Sequence, residues 1–260
     1  MASCRPRSKQ ASTMPCASRR ADAMPLPCTN WRRIDPMTPP KAAISWSAGK
    51  DSCLAWLRTR EAGIPVKTFL TMLDVDGLSK SHALPRELIV AQVRAMGGQW
   101  QPAVAAPGQY ARVFAEQLDK LRETGHDRLV FGDIDLQAHR DWLEPMCEKA
   151  GLQAAFPLWG NKRQALAQEI IERGIEATLV CVDARRLDES FVGAAYDPAL
   201  LRRLPDGVCP CGEDGEFHTF VWNAPGFAKP LVLRPLEKRR VAATPPLSPG
   251  ELIFQTLELA

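Results

Sequence analysis

The sequence predicts an α/β fold, a mostly parallel Rossmann-like sheet with helices on both faces, followed by a smaller C-terminal α+β region. Three observations predict it. From residue 41 to residue 182, short β-branched runs alternate with stretches of helical period, the pattern of strands buried on both faces and of helices that cover them. Glycines follow the helical stretches at Gly63, Gly97 and Gly174, where a left-handed residue closes a last turn. A run of small and hydroxyl-bearing residues, Ser47 to Ser52, separates the first strand from the first helix.

Taken in order, Ala42–Trp46 reads as a first strand, Ser52–Ala62 as a helix closed by Gly63, and Val66–Leu73 as a second strand, together a βαβ unit. Pro85–Met96 is helical with Gly97 and Gly98 behind it, Tyr110–Glu123 is a long amphipathic helix, and Arg128–Phe131 is a buried strand. A helix near Asp141–Ala150, another over Lys162–Arg173 ended by Gly174, and a strand over Ala177–Val182 complete the alternation. After Asp183 the texture changes to loops, with a short helix over Pro198–Leu204 and a hairpin over Pro230–Arg240. The reading divides the chain into an extension (1–40), an α/β domain (41–182) and a smaller region (183–260).

Composition excludes several classes of function. With 45% hydrophobic and 24% charged residues, the chain has the make-up of a soluble globular protein. Its net charge of +3 is too even to mark a nucleic-acid or membrane-surface protein, and no apolar run approaches the roughly 18 residues of a membrane span. The eight cysteines lack the dense, even spacing of a secreted disulfide framework, so a reducing cytoplasm is expected. The first forty residues differ from the rest. Seven basic residues face two acidic ones, a local +5 that leaves −2 of the overall +3, and seven prolines interrupt any periodicity. Disorder is expected there, because such a segment cannot offset its ordering entropy, and translation from Met37 is an expectation of the same kind.

The segment Ser47-Ala48-Gly49-Lys50-Asp51-Ser52 carries the most chemistry. Small residues let the backbone approach an anion, the free amides at a helix start point toward it, and a lysine and two hydroxyls add charge and donors. It is not the Walker loop: Ile44 stands where that loop needs a glycine, and Asp51 where it needs Ser or Thr. The bland alternative is a capped strand-to-helix turn, worth about 1 kcal/mol. Near the other end, Glu213 to Thr219 packs two glutamates, a histidine and turn glycines into a few residues, a loop crowded with titratable groups. Glu213 and Glu216 are candidates to hold or deprotonate ammonium, and His218, near its free pKa, to relay a proton; a solvated acidic turn is the alternative.

These motifs resemble those of a known family. Ser47 to Ser52 is similar to the Ser-Gly-Gly-x-Asp-Ser signature of the PP-loop ATP pyrophosphatases, with Ala48 in place of the first glycine. Gly132-Asp133-Ile134, Arg140 and Glu144, Pro157-Leu158-Trp159, and Cys211 through Thr219 follow in the order seen in the diphthine-ammonia ligase family. The resemblance implies a HUP-type domain over residues 41–182 that binds ATP through Ser47, Ala48, Gly49, Lys50, Asp51, Ser52, Gly132 and Asp133. It implies ATP cleavage between the α and β phosphates, an acyl-adenylate on a carboxylate, and ammonia attack to give an amide, AMP and pyrophosphate. In diphthamide synthesis that carboxylate lies on a modified histidine of translation elongation factor two. The implied catalytic residues are Glu213, Glu216, His218 and Thr219, and the implied substrate-binding residues, serving an acceptor over which region 183–260 closes, are Arg140, Glu144 and Trp159. Mg2+ would bridge phosphate oxygens, with Asp51 or Asp133 as its carboxylate contact.

Other readings stay open beside this one. A PP-loop enzyme could adenylate a tRNA base or a small molecule, or the chain could bind adenine nucleotide without catalysis. Cys209 and Cys211 with His218 invite a zinc reading, which their spacing disfavours. Asp135 and His139, four apart, could pair on a helix face, and the Arg185-Arg186 and Arg202-Arg203 doublets are either a solvated face or a landing surface. The expected partners are ATP, ammonia and a carboxylate-bearing acceptor, with no membrane; nucleic acid, not favoured, and a homodimer are left open.

Overall fold

The computed structural model describes residues 40–79, 82–242 and 250–260; residues 1–39, which hold nearly all of the expected extension, lie outside that description. Five parallel strands form the first sheet: β1 (Ala42–Ser45), β2 (Val66–Leu73), β3 (Gln99–Val104), β4 (Arg128–Val130) and β5 (Gln153–Ala155), in the order β3-β2-β1-β4-β5. Side chains alternate across it, as the pleat requires. Ala43, Leu70 and Leu129 face one layer, where Phe114, Leu118 and Leu121 of α3 (Tyr110–Glu123) and Leu143 and Cys147 of α4 (Gln137–Lys149) close the core. On the other face α1 (Lys50–Glu61) packs against β1, β2 and β4, and its Trp56 meets Phe69 at 6.3 Å. Phe69 is fully buried, a contribution of roughly 1.5–3 kcal/mol. α2 (Arg86–Ala95) lies against β3, and α5 (Arg163–Glu172) against α1.

This strand order reverses direction between β1 and β4. At such a switch point the loops after the two strands splay to opposite faces and leave a crevice at the carboxyl ends. Ser47–Ser52 follows β1, and Gly132–Asp133 follows β4, so both motifs open onto that crevice.

A second sheet is antiparallel throughout: β6 (Glu176–Asp183), β7 (Phe217–Asn223), β8 (Leu233–Ala242) and β9 (Glu251–Leu259), ordered β7-β6-β9-β8. β6 corrects the expectation that the strand at 177–182 continues the parallel sheet. A short apolar run reads the same in either sheet, because β6 is buried along nearly its whole length. The hairpin expected over 230–240 is instead the single strand β8, paired with β9 across residues 243–249, which lie outside the described residues. β8 is exposed at almost every position, so it carries no alternation to read. Between β6 and β7 lies α6 (Pro198–Arg203), capped by Asp197, whose carboxylate accepts from Leu200 N at 2.7 Å. No described helix is long and apolar enough to cross a membrane.

Candidate active site

The loop after β1 is held from two sides. Gln92 of α2, fully buried, accepts from Trp46 Nε1 at 2.7 Å and donates to the Ala48 carbonyl at 3.1 Å, and Val221 N of β7 donates to the same carbonyl at 3.0 Å. Ala48 is thereby kept at φ +69°, a left-handed conformation that costs an L-residue about 1–2 kcal/mol and a glycine almost nothing. A glycine at this position would take the same conformation without that cost.

Within the loop Ser47 Oγ accepts from Gly49 N at 3.3 Å and lies 3.1 Å from Ser52 Oγ, which donates to the Gly49 carbonyl at 3.0 Å. Thr219, on β7, accepts from Lys50 N through Oγ1 at 3.1 Å and so joins the second sheet to the start of α1. The Lys50 ammonium is buried between the Asp51 carboxylate at 2.7 Å and the Cys211 carbonyl, and it faces the Tyr196 and Phe217 rings at 5.5 and 5.4 Å. Burial, the largest single influence, penalises its charge, but the Asp51 carboxylate together with Cys211 and Glu213 holds its pKa above the ordinary value. Asp51 Oδ1, on the other side, is buried with no hydrogen-bond partner.

Gly132 makes the crevice possible. A Cβ there would lie 2.8 Å from Ser52 N and 3.0 Å from the Asp51 carbonyl carbon, so only glycine lets the turn after β4 touch the start of α1. Asp133 beside it accepts from His139 Nδ1 at 3.0 Å. The expected Asp135–His139 pair does not form: Asp135 is bound to Arg163 at 2.7 and 2.9 Å.

The Glu213–Thr219 segment is part turn and part strand, since β7 begins at Phe217. Glu216 is fully buried and lies outside the cavity wall. Its two carboxylate oxygens accept from Cys209 N at 2.8 Å and Asp214 N at 3.0 Å, the geometry of a residue that shapes a turn. Glu213 does line the cavity, and burial, with the Asp51 carboxylate second, pushes its pKa up to about 8. His218 departs from its expected near-free pKa: burial, then the Lys50 ammonium, lower it to about 4, so the ring is neutral. Its neighbour is the His82 ring, 4.7 Å away and edge-on. The zinc ligands considered from sequence are not assembled. The Cys211 thiol donates to the Arg163 carbonyl at 3.1 Å, and no group of three His, Cys, Asp or Glu side chains fit to hold a metal occurs among the described residues.

These three segments enclose a cavity of about 700 Å³. Its polar lining includes Ser47, Lys50, Asp51 and Glu213, and its apolar lining Tyr110, Phe114, Phe131, Trp142 and Leu143, of which Tyr110, Phe114 and Trp142 are in mutual ring contact. Arg140, Glu144 and Trp159 stand together outside it: Arg140 binds Glu144 at 2.7 Å and stacks on Trp159 at 4.7 Å. Of these, Arg140 and Glu144 belong to α4, which also supplies Trp142 and Leu143 to the cavity wall, and Trp159 follows β5. Sequence reasoning missed His82, Tyr110 and Trp142. The apolar periodicity of α3 and α4 reads as core, and only the fold shows that part of it lines a cavity.

Comparison with known proteins finds similarity across both sheets. The diphthamide synthase N-terminal domain matches residues 40–154 and the diphthamide synthase C-terminal domain residues 162–243; the gap falls where the chain leaves the parallel sheet. A Rattus norvegicus protein named diphthine–ammonia ligase is 34% identical over 220 residues, covering 74% of this chain and 82% of its own length. A Homo sapiens protein of that name is 32% identical over 221 residues, with 74% and 82% covered. One from Danio rerio is 27% identical over 218 residues, with 72% and 84% covered.

Proposed function

The chain belongs to the diphthamide synthase family, and from that premise we propose that the cavity is the active site of an ATP-dependent amide-forming ligase. The observation that carries this reading is the convergence on one cavity of the phosphate loop, the Gly132–Asp133 turn and the Glu213–Thr219 segment, far apart in sequence. ATP lies with its phosphates on the start of α1 and Lys50. An acceptor carboxylate oxygen attacks the α phosphorus, the bond to the β-phosphate oxygen breaks, and pyrophosphate leaves an acyl-adenylate behind. Ammonia then attacks the acyl carbon and displaces AMP. The loop donors are fixed before reaction, so they stabilise the charge that develops on the leaving oxygen more than the ground state.

Glu213 is the proton acceptor of the second step. Ammonia is largely ammonium near neutrality, and a carboxylate with a pKa of about 8 is matched to take its proton. Glu216 and Thr219 act as positioning residues, one shaping the turn that carries Glu213 and the other bonding the first amide of α1. Asp51, with its buried unpartnered oxygen, and Asp133 fit the one or two carboxylates that Mg2+ takes from a protein. When bound, the ion would neutralise phosphate charge. The aromatic wall of the cavity takes a flat, uncharged part of a substrate. Arg140, Glu144 and Trp159 form an outer rim for the acceptor, and diphthine, from the relatives' printed name, is the first acceptor to offer.

Sulfur delivery to tRNA is not favoured, because Cys53 is buried inside α1 and burial pushes its thiol far above the reactive range. The cytoplasm is the compartment we assign, from cysteine spacing. The test is mass analysis of cell extract incubated with the protein, ATP and 15N-ammonium. A carboxyl-to-amide conversion carrying the label, with AMP formed in step, is expected; ATP cleavage to ADP would reject the reading.

A further inference from the structure

His82 has no role in the chemistry above, yet it reaches the cavity from the loop between β2 and α2. That loop is tied on both sides: Leu73 pairs with Ser79, Leu78 pairs with Pro85, and Ser79 Oγ accepts from Leu84 N at 3.1 Å. So held, the His82 ring is 8% exposed and lies against Gly49 at the start of α1. Its Nε2 would be 3.1 Å from a Cβ on that glycine. Its Nδ1 is buried and has no hydrogen-bond partner. Burial first, then His218 and Lys50, keep its pKa well below the ordinary value.

The two imidazoles, the Lys50 ammonium and the first turn of α1 face the same space, and among the described residues no carboxylate is hydrogen-bonded to either ring. Asp51, an acid of the same cavity wall, is paired with Lys50. Donors and a helix N-terminus gathered in this way lack an anion as their common partner. Resting on the ligase reading, we propose that His82 is a substrate-contacting residue which, with His218 beside it, donates a hydrogen bond to the pyrophosphoryl end of ATP and to the pyrophosphate that leaves. A neutral imidazole carries one N–H, so this needs no prior proton uptake. As the acceptor oxygen bonds to the α phosphorus, the electron pair of the breaking bond passes to the β-phosphate oxygen, and the hydrogen bonds strengthen with that charge.

The test is calorimetric titration of inorganic pyrophosphate, ATP and AMP into the wild type, His82→Ala, His82→Gln and Lys50→Ala, together with imidazole 15N spectra of the wild type during pyrophosphate addition. His82→Ala is expected to weaken pyrophosphate and ATP roughly ten- to a hundredfold, the loss of a hydrogen bond to a charged group, and to leave AMP unchanged. The His82 and His218 signals of the wild type are expected to move, a readout that does not depend on a variant folding. If pyrophosphate saturates the wild type with both signals still, or if His82→Ala binds it as tightly while Lys50→Ala loses it, the His82 assignment is overturned and the phosphate loop stands. If the wild type binds neither pyrophosphate nor ATP, both fall together.

Discussion

Glu216→Gln separates a shaping residue from a reacting one. In the native turn both carboxylate oxygens accept from backbone N–H groups, at 2.8 and 3.0 Å, and the side chain has no exposure to water. Glutamine keeps the shape and one acceptor, but whichever way its amide is turned, an NH2 group faces a backbone N–H. One charge-assisted hydrogen bond is lost, about 1.5–3 kcal/mol, and one buried donor is left unpaired, about 1–3 kcal/mol, for a total of about 2.5–6 kcal/mol. For a domain of this size that lowers the melting temperature by about 10 °C. The same turn presents the Cys211 carbonyl to Lys50, so ATP affinity is expected to fall together with stability. Urea denaturation and ATP titration on one preparation check both. A variant that melts with the wild type and binds ATP normally, yet turns nothing over, would refute the argument and return Glu216 to the chemistry.

Other substitutions read different parts of the site. Lys50→Ala is expected to abolish measurable ATP binding by calorimetry, since it removes the cation buried at the loop. Glu213→Gln is expected to keep ATP affinity and lower turnover by roughly 10²–10⁴-fold, while the wild-type rate rises with pH and levels off above about 8, where Glu213 is ionised. Stability carries the opposite slope. The folded pKa of Glu213 lies above its ordinary 4.5, so its contribution is complete below that pH and is lost as pH rises through about 8; denaturation midpoints of wild type and Glu213→Gln across that range would show it. Gly132→Ala is expected to cost about 1–3 kcal/mol by overpacking, and a melting curve and ATP titration should both register it, because the added methyl meets the backbone of Ser52 and Asp51.

Much of the fold was legible in the sequence because its central strands and long helices obey a single period. Val66–Leu73 and Tyr110–Glu123 form with the boundaries expected. The edge strands β3 and β5 were not legible: one carries Pro102 and three polar or aromatic positions, the other is three residues long, and neither has a buried face to pattern. β6 was legible as a strand but not as a member of the second sheet, because burial on both faces erases the distinction. At the site, the phosphate loop could be read from Gly49, Lys50 and Ser52, whose chemistry depends on local order. The split between Glu213 in the cavity and Glu216 beneath it could not, since it depends on which carboxylate the Cys209 and Asp214 amides capture. His82 was invisible for the same reason: its partners, Gly49 and His218, come from distant parts of the chain.

The claim on which the account rests is that the bend after β1 grips the triphosphate. A crystal structure with a nonhydrolysable α,β-methylene analogue of ATP tests it directly. Phosphate oxygens are expected on the amides that open α1, within reach of the Ser47 and Ser52 hydroxyls and Lys50; an analogue bound elsewhere, with that bend bare, would contradict the claim.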